Sequence, residues 1–210
     1  MNLDPEQLNR GDFILLDTLG HMDIVPFIRK YIKKRTRASL FYMSINLLFL
    51  ACAGWYLGKN VGNGGFSLDD GVTHLSYGLA LAFTLIPLHE YIHVLAYKSQ
   101  GAQHTSYDSN LKKFYFMAIA DKFVANRKEF QIVALAPFVV ISLGLLILMF
   151  FTGKLWTLTI MGMLVVHTAC CSGDFGLLSY FDFRRDKELL TYDDKEKGIS
   201  YFYTKANLKS

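Results

Sequence analysis

An all-α polytopic membrane fold, with about four transmembrane helices and a short strand or β-hairpin in the central loop, is what this sequence predicts, on three observations. Of its 210 residues, 52% are hydrophobic and only 19% charged, against about a quarter charged in an ordinary soluble domain. The apolar residues gather into four runs, 38–57, 72–97, 132–151 and 155–181, each near or above the about 20 residues needed to cross a hydrocarbon core. Charges crowd into the segments between the runs.

The chain divides accordingly into a lead-in (1–37), a four-helix membrane domain (38–181) and a tail (182–210). In the lead-in, Phe13, Ile14, Leu15, Leu16 and Leu19, then Ile24, Val25, Phe27, Ile28, Tyr31 and Ile32, are set among charges. Two readings stay open: a basic amphipathic helix lying in the membrane interface, or a loosely ordered leader. Asp4, Glu6, Asp12 and Asp17 interrupt the first twenty residues, so no signal peptide is expected and sorting falls to the first span. After that span, residues 60–65 are rich in Gly and Asn and predict a flexible external loop. Pro87 and Pro137 fall inside predicted helices, where a missing N–H and a steric clash produce a break or kink. Between spans two and three, the aromatic run 113–120 suits a strand better than a span. The tail from 184 onward reads as a solvated end.

Orientation follows from the Lys and Arg bias of short loops. Arg29, Lys30, Lys33, Lys34, Arg35 and Arg37 precede the first span; Lys98, Lys112, Lys113, Lys122, Arg127 and Lys128 lie between spans two and three; Arg184, Arg185 and Lys187 follow the fourth. The opposite loops carry only Lys59 and Lys154. Both termini are therefore expected in the cytoplasm, with the chain integral to a membrane. The formal charge of +4 then reads as attraction to anionic lipid headgroups; the basic residues flank spans and carry no nucleic-acid motif, so nucleic acid is not an expected partner. Cys52, Cys170 and Cys171 all lie in apolar runs and read as small packing residues.

Chemistry enters with His89-Glu90-Tyr91-Ile92-His93, an HExxH string at the inner end of the second run. On a helix, histidines at i and i+4 share a face one turn apart and can bind one zinc, with the glutamate between them placed as general base toward a zinc-bound water. Ionisable groups inside a span mark functional sites by default. A catalytic zinc takes three protein ligands, and the place of a soluble-protease third histidine is filled by Ala96 and Ser99. Asp174 is the better third ligand. It lies seven residues before the end of the fourth run, as His89 and His93 lie eight and four before the end of the second. At about 1.5 Å per residue, these groups fall at one depth on two helices running the same way. Gly173 would let those helices approach closely. His21, His74 and His104 lie outside this site and read as ordinary polar surface residues.

His89, Glu90 and His93 on one helix, with Asp174 followed by Phe175 and Gly176 on a later one, resemble the site-2-protease class of intramembrane zinc metalloproteases, and more closely the compact bacterial group described as putative zincin peptidases. The likeness covers about residues 86–181. It implies a zinc metallopeptidase with Zn2+ on His89, His93 and Asp174, Glu90 as catalytic base, and membrane-protein or peptide substrates cut near the cytoplasmic side. The class usually carries Leu-Asp-Gly preceded by Asn and prolines, whereas 167–173 contains neither Asn nor proline. His167, two helical turns before Asp174, is the candidate substrate or oxyanion contact in their place. No PDZ-like module is present, so the membrane part and the central loop must select substrate, and 113–120 could offer an edge strand to it. Rival readings are an ion or proton transporter using the same His, Glu and Asp cluster, and a catalytically silent zinc-bound scaffold. The oligomeric state is left open.

Overall fold

The structure, a computed structural model, describes residues 3–8, 12–110 and 115–206. In chain order its elements are α1 (Pro5–Leu8), β1 (Phe13–Gly20), a 3-10 turn (His21–Asp23), α2 (Ile24–Ile32), α3 (Arg37–Gly62), α4 (Leu68–Leu81), a 3-10 segment (Ala82–Leu85), α5 (Ile86–Ser99), β2 (Thr105–Asn110), β3 (Tyr115–Ala120), β4 (Ala125–Asn126), α6 (Arg127–Leu148), a 3-10 turn (Met149–Phe151), α7 (Lys154–Cys170), α8 (Ser172–Phe183), β5 (Leu189–Asp194) and β6 (Ile199–Lys205). They form two compact units. One comprises Leu40–His89 and Pro137–Ser172; the other comprises Met1–Ser39, Glu90–Ala136 and Gly173–Ser210.

The first unit is helical. Among the described residues, and without regard to the division into units, three helical stretches, Arg37–Gly62, Leu68–Ser99 and Arg127–Phe151, are long and apolar enough to cross a membrane, and Lys154–Cys170 with Ser172–Phe183 makes a fourth if read together. In α3 the most apolar window is only 6% buried, with Leu47 and Trp55 more than 60% exposed. Its polar side chains turn inward on the helix: the amides of Asn46 and Asn60 donate to the Tyr42 and Tyr56 carbonyls one turn back, as an apolar surround requires. The start of α4 is set by Ser67, whose hydroxyl accepts from the Asp70 N–H, and by Asp69 and Asp70 in the first turn, where carboxylates oppose the helix dipole. Helices α4 and α7 meet backbone to backbone. A Cβ at Gly78 would overlap the Thr159 carbonyl oxygen, and one at Gly162 would come within 2.8 Å of the Leu75 carbonyl oxygen, the close approach that small residues permit between apolar helices. His74 is part of this seam, its Nδ1 3.0 Å from Thr159 Oγ1.

The second unit departs from the all-α expectation. It holds a four-stranded antiparallel sheet, ordered β1-β6-β5-β4, and the separate hairpin β2-β3. The tail is therefore not a solvated end: Leu189 and Phe202, on β5 and β6, are almost wholly buried. The lead-in is likewise ordered, as β1 and as α2. Phe27 and Tyr31 of α2 pack on Tyr180 of α8 with ring centroids 5.1 and 4.9 Å away, and Phe202 stands 4.8 Å from Tyr180. The apolar side of α2 is thus covered by protein aromatics, the burial that an amphipathic helix needs. Arg127 closes the end of α8, donating to the carbonyls of Phe181 in the helix and of Arg184 and Lys187 just beyond it, where helical acceptors run out.

Two expected breaks are realised differently. Pro87 is the second residue of α5, directly after the 3-10 segment, a place where proline's missing N–H costs little. Pro137 lies inside α6. The fourth run, expected as one helix, is interrupted at Cys171. The central hairpin falls where the aromatic run placed it, although Lys113 and Phe114 lie outside the described residues.

Candidate metal centre

The HExxH string lies on α5 as its spacing requires. One ligand atom each from His89, Glu90 and His93 lie within 4.8 Å of one another. Glu90 and His93 are buried, and His89 is half-buried.

The arrangement about His93 is the most informative. Its Nδ1 is 3.0 Å from the Val133 carbonyl oxygen on α6; a carbonyl can only accept, so Nδ1 carries a proton and Nε2 is the nitrogen that the neutral ring would offer to a metal. That Nε2 stands 3.1 Å from Asp174 Oδ1. Two donors bound to one tetrahedral zinc at about 2.0–2.1 Å are about 3.3 Å apart, so this spacing fits a shared ion. A backbone carbonyl on the far nitrogen is also how metal-bound histidines are commonly oriented. Asp174 is in the first turn of α8, where the helix dipole favours a carboxylate.

Glu90 is held by a backbone group: the Ala118 N–H of β3 donates to Oε2 at 2.8 Å. Side chains alternate along a strand and so do its backbone groups, so this N–H points away from β2, toward the open edge of β3. The edge expected to receive a substrate is therefore already engaged at this position by the glutamate.

In the helical unit, His167 is buried on α7. Its ring centroid is 5.8 Å from that of His89, and its Nε2 is 3.9 Å from Cys171 Sγ. The two-turn spacing from His167 to Asp174 does not run along one helix, because the chain breaks at Cys171. The expected role of Gly173 is also corrected. A Cβ there would meet only Ile28, at an ordinary 3.7 Å, whereas one at Gly176 would come within 3.1 Å of the Ile28 Cα. Gly176 is the residue that admits close packing, and its neighbour is α2. His21 is not a surface residue: it is buried, with Nδ1 3.1 Å from Asp108 Oδ2 on β2.

His89, His93 and Glu90 offer imidazole and carboxylate atoms close enough to share one ion, His93 also contacts the Asp174 carboxylate, and the chemistry of these donors fits zinc. What sequence reasoning missed is chiefly backbone: the Ala118 N–H and the Val133 carbonyl have no residue-type signature. Cys171 was missed as well, although it follows His167 at the i+4 spacing that marks His89 and His93.

Comparison with known proteins adds one finding. The profile of a family described as "Putative zincin peptidase" matches residues 82–187, just over half of the chain, and takes in every residue of this centre. No curated protein and no solved structure matches the chain.

Proposed function

Because the chain belongs to the zincin peptidase family, we propose that it is an intramembrane zinc metallopeptidase of the site-2-protease type, hydrolysing peptide bonds of membrane-protein substrates near the cytoplasmic side of the bilayer. The observation that carries this reading is the contact of His93 Nε2 with Asp174 Oδ1 at 3.1 Å. It joins the second histidine of HExxH to the carboxylate of a later apolar run.

His89, His93 and Asp174 are the ligands. A zinc ion held there would supply Lewis acidity toward the scissile carbonyl and the attacking water. Glu90 takes the proton from that water and returns it to the departing amine, the general acid–base role of a buried carboxylate beside the reacting atoms. The Ala118 N–H fixes the carboxylate's orientation. His93 stays aligned because Val133 holds its other nitrogen. The apolar, outward-facing α3 and the long stretches Leu68–Ser99 and Arg127–Phe151 support residence in the bilayer, and the Lys and Arg bias puts both termini in the cytoplasm. A peptide bond inside a helix is shielded by its own hydrogen bonds, so the substrate is extended before it is cut. The open edge of β3 on either side of Ala118, whose own N–H is taken by Glu90, receives it, strand against strand.

The test uses purified protein in detergent with two substrates, an unfolded soluble protein and a single-span membrane protein. Cleavage of the membrane protein that stops with a chelator and returns with added zinc is the expected result. Cleavage of neither, in protein shown to hold zinc, would contradict the proposal.

A further inference from the structure

We propose that His89, His167 and Cys171 form a second, thiolate-containing ligand set for a soft transition-metal ion. It goes beyond the peptidase reading and does not depend on His93, Glu90 or Asp174.

The observations are geometric. His167 and Cys171 stand at i and i+4, as His89 and His93 do on α5, so the imidazole and the sulfur leave the chain on one side, a turn apart. His167 Nε2 and Cys171 Sγ are 3.9 Å apart. Donors on one tetrahedral zinc, at about 2.0–2.1 Å for nitrogen and about 2.3 Å for sulfur, are about 3.6 Å apart, so a few tenths of an ångström bring this pair to bonding geometry. His89 supplies the third donor: one ligand atom from each of the three residues lie within 4.8 Å of one another. The His167 and Cys171 side chains are buried, which excludes competing water. The Cys171 thiol donates to the His167 carbonyl, with the sulfur 3.3 Å from the oxygen. When the ion binds, a metal–sulfur bond replaces the S–H bond, and the thiol proton is released to solvent with no change in oxidation state. Two nitrogens and a thiolate suit zinc or cobalt(II) and disfavour magnesium or calcium.

Cobalt(II) is the probe, because a thiolate ligand gives it a near-ultraviolet charge-transfer band that nitrogen and oxygen ligands do not. His89 belongs to both sets, so Asp174→Ala and His93→Ala each break the HExxH centre and leave the thiolate set whole. In the full-length protein, either variant titrated with cobalt(II) is expected to show the band, saturating at about one ion per chain. Adding Cys171→Ser should abolish the band, and adding His167→Ala should weaken cobalt binding at least tenfold. If the wild type binds cobalt while both single variants lack the band, the thiolate set is overturned and the peptidase centre stands. A band that survives Cys171→Ser overturns it too. If the variants show the band but the wild type cleaves nothing, the peptidase proposal fails and this one holds.

Discussion

Glu90→Gln is expected to remove turnover and leave zinc in place, with kcat lower by about a hundred- to ten-thousandfold, the usual contribution of a positioned general base. The substitution is close to isosteric, and the amide oxygen can still accept the Ala118 N–H that now reaches Oε2. The carboxylate is buried at 7% exposure, so replacing it with a neutral amide leaves no uncompensated charge and should not unfold the site. What is lost is the proton acceptor. Steady-state cleavage and metal content measured on the same preparation separate the readings. A peptidase keeps the metal and loses the rate; a silent scaffold changes in neither. An ion-handling protein has no cleavage to lose and should show changed proton or metal flux in vesicles.

Ala118→Pro should lower kcat by about ten- to a hundredfold, again with zinc retained. A hydrogen bond to a charged group contributes about 1.5–3 kcal/mol, and proline deletes the one N–H that holds Glu90 Oε2 from β3. The ladder survives, because this N–H points away from β2, and proline is tolerated on such an edge. The neighbouring residues, Met117 and Ile119, keep their pairing with Asp108 and Ser106. Cleavage kinetics with an elemental zinc assay check the prediction. Unchanged kcat would mean that the Ala118 contact does not position the base, and loss of zinc would mean that β3 supports the ligands instead.

How much of this was legible in the sequence depends on how local each feature is. The HExxH histidines needed only the helical repeat between His89 and His93. Asp174 was singled out because a carboxylate in an apolar run stands out, and because depth along a span can be counted in residues; the structure sets it 3.1 Å from His93, a lateral contact that no count of depth could give. The spacing from His167 to Asp174 was misjudged because the count ran through Cys171, where the helix breaks without a proline to announce it. The four-stranded sheet was not legible at all. β1 pairs with β6 from the opposite end of the chain, Phe13 opposite Lys205, and such distant pairing leaves no local period beyond short mixed runs that also read as loop. Tertiary packing decided the lead-in: Phe27 and Tyr31 cover Tyr180, a partner invisible from either segment alone. His21 shows the same limit, since its burial depends on Asp108, 87 residues away.

The central claim is that one zinc joins α5 to α8 through His89, His93 and Asp174. Its most direct measurement is zinc per chain by elemental analysis, in wild type, His93→Ala and Asp174→Ala, each purified without chelator. Removing one of three protein ligands should weaken binding at least as much as the about 10- to 100-fold typical of losing an outer-shell partner. With free zinc buffered about tenfold above the wild-type dissociation constant, the account predicts about 0.9 ion per wild-type chain and a large loss in both variants. Equal zinc in wild type and Asp174→Ala would contradict it, leaving the His93 to Asp174 contact as an ion pair and not a metal site.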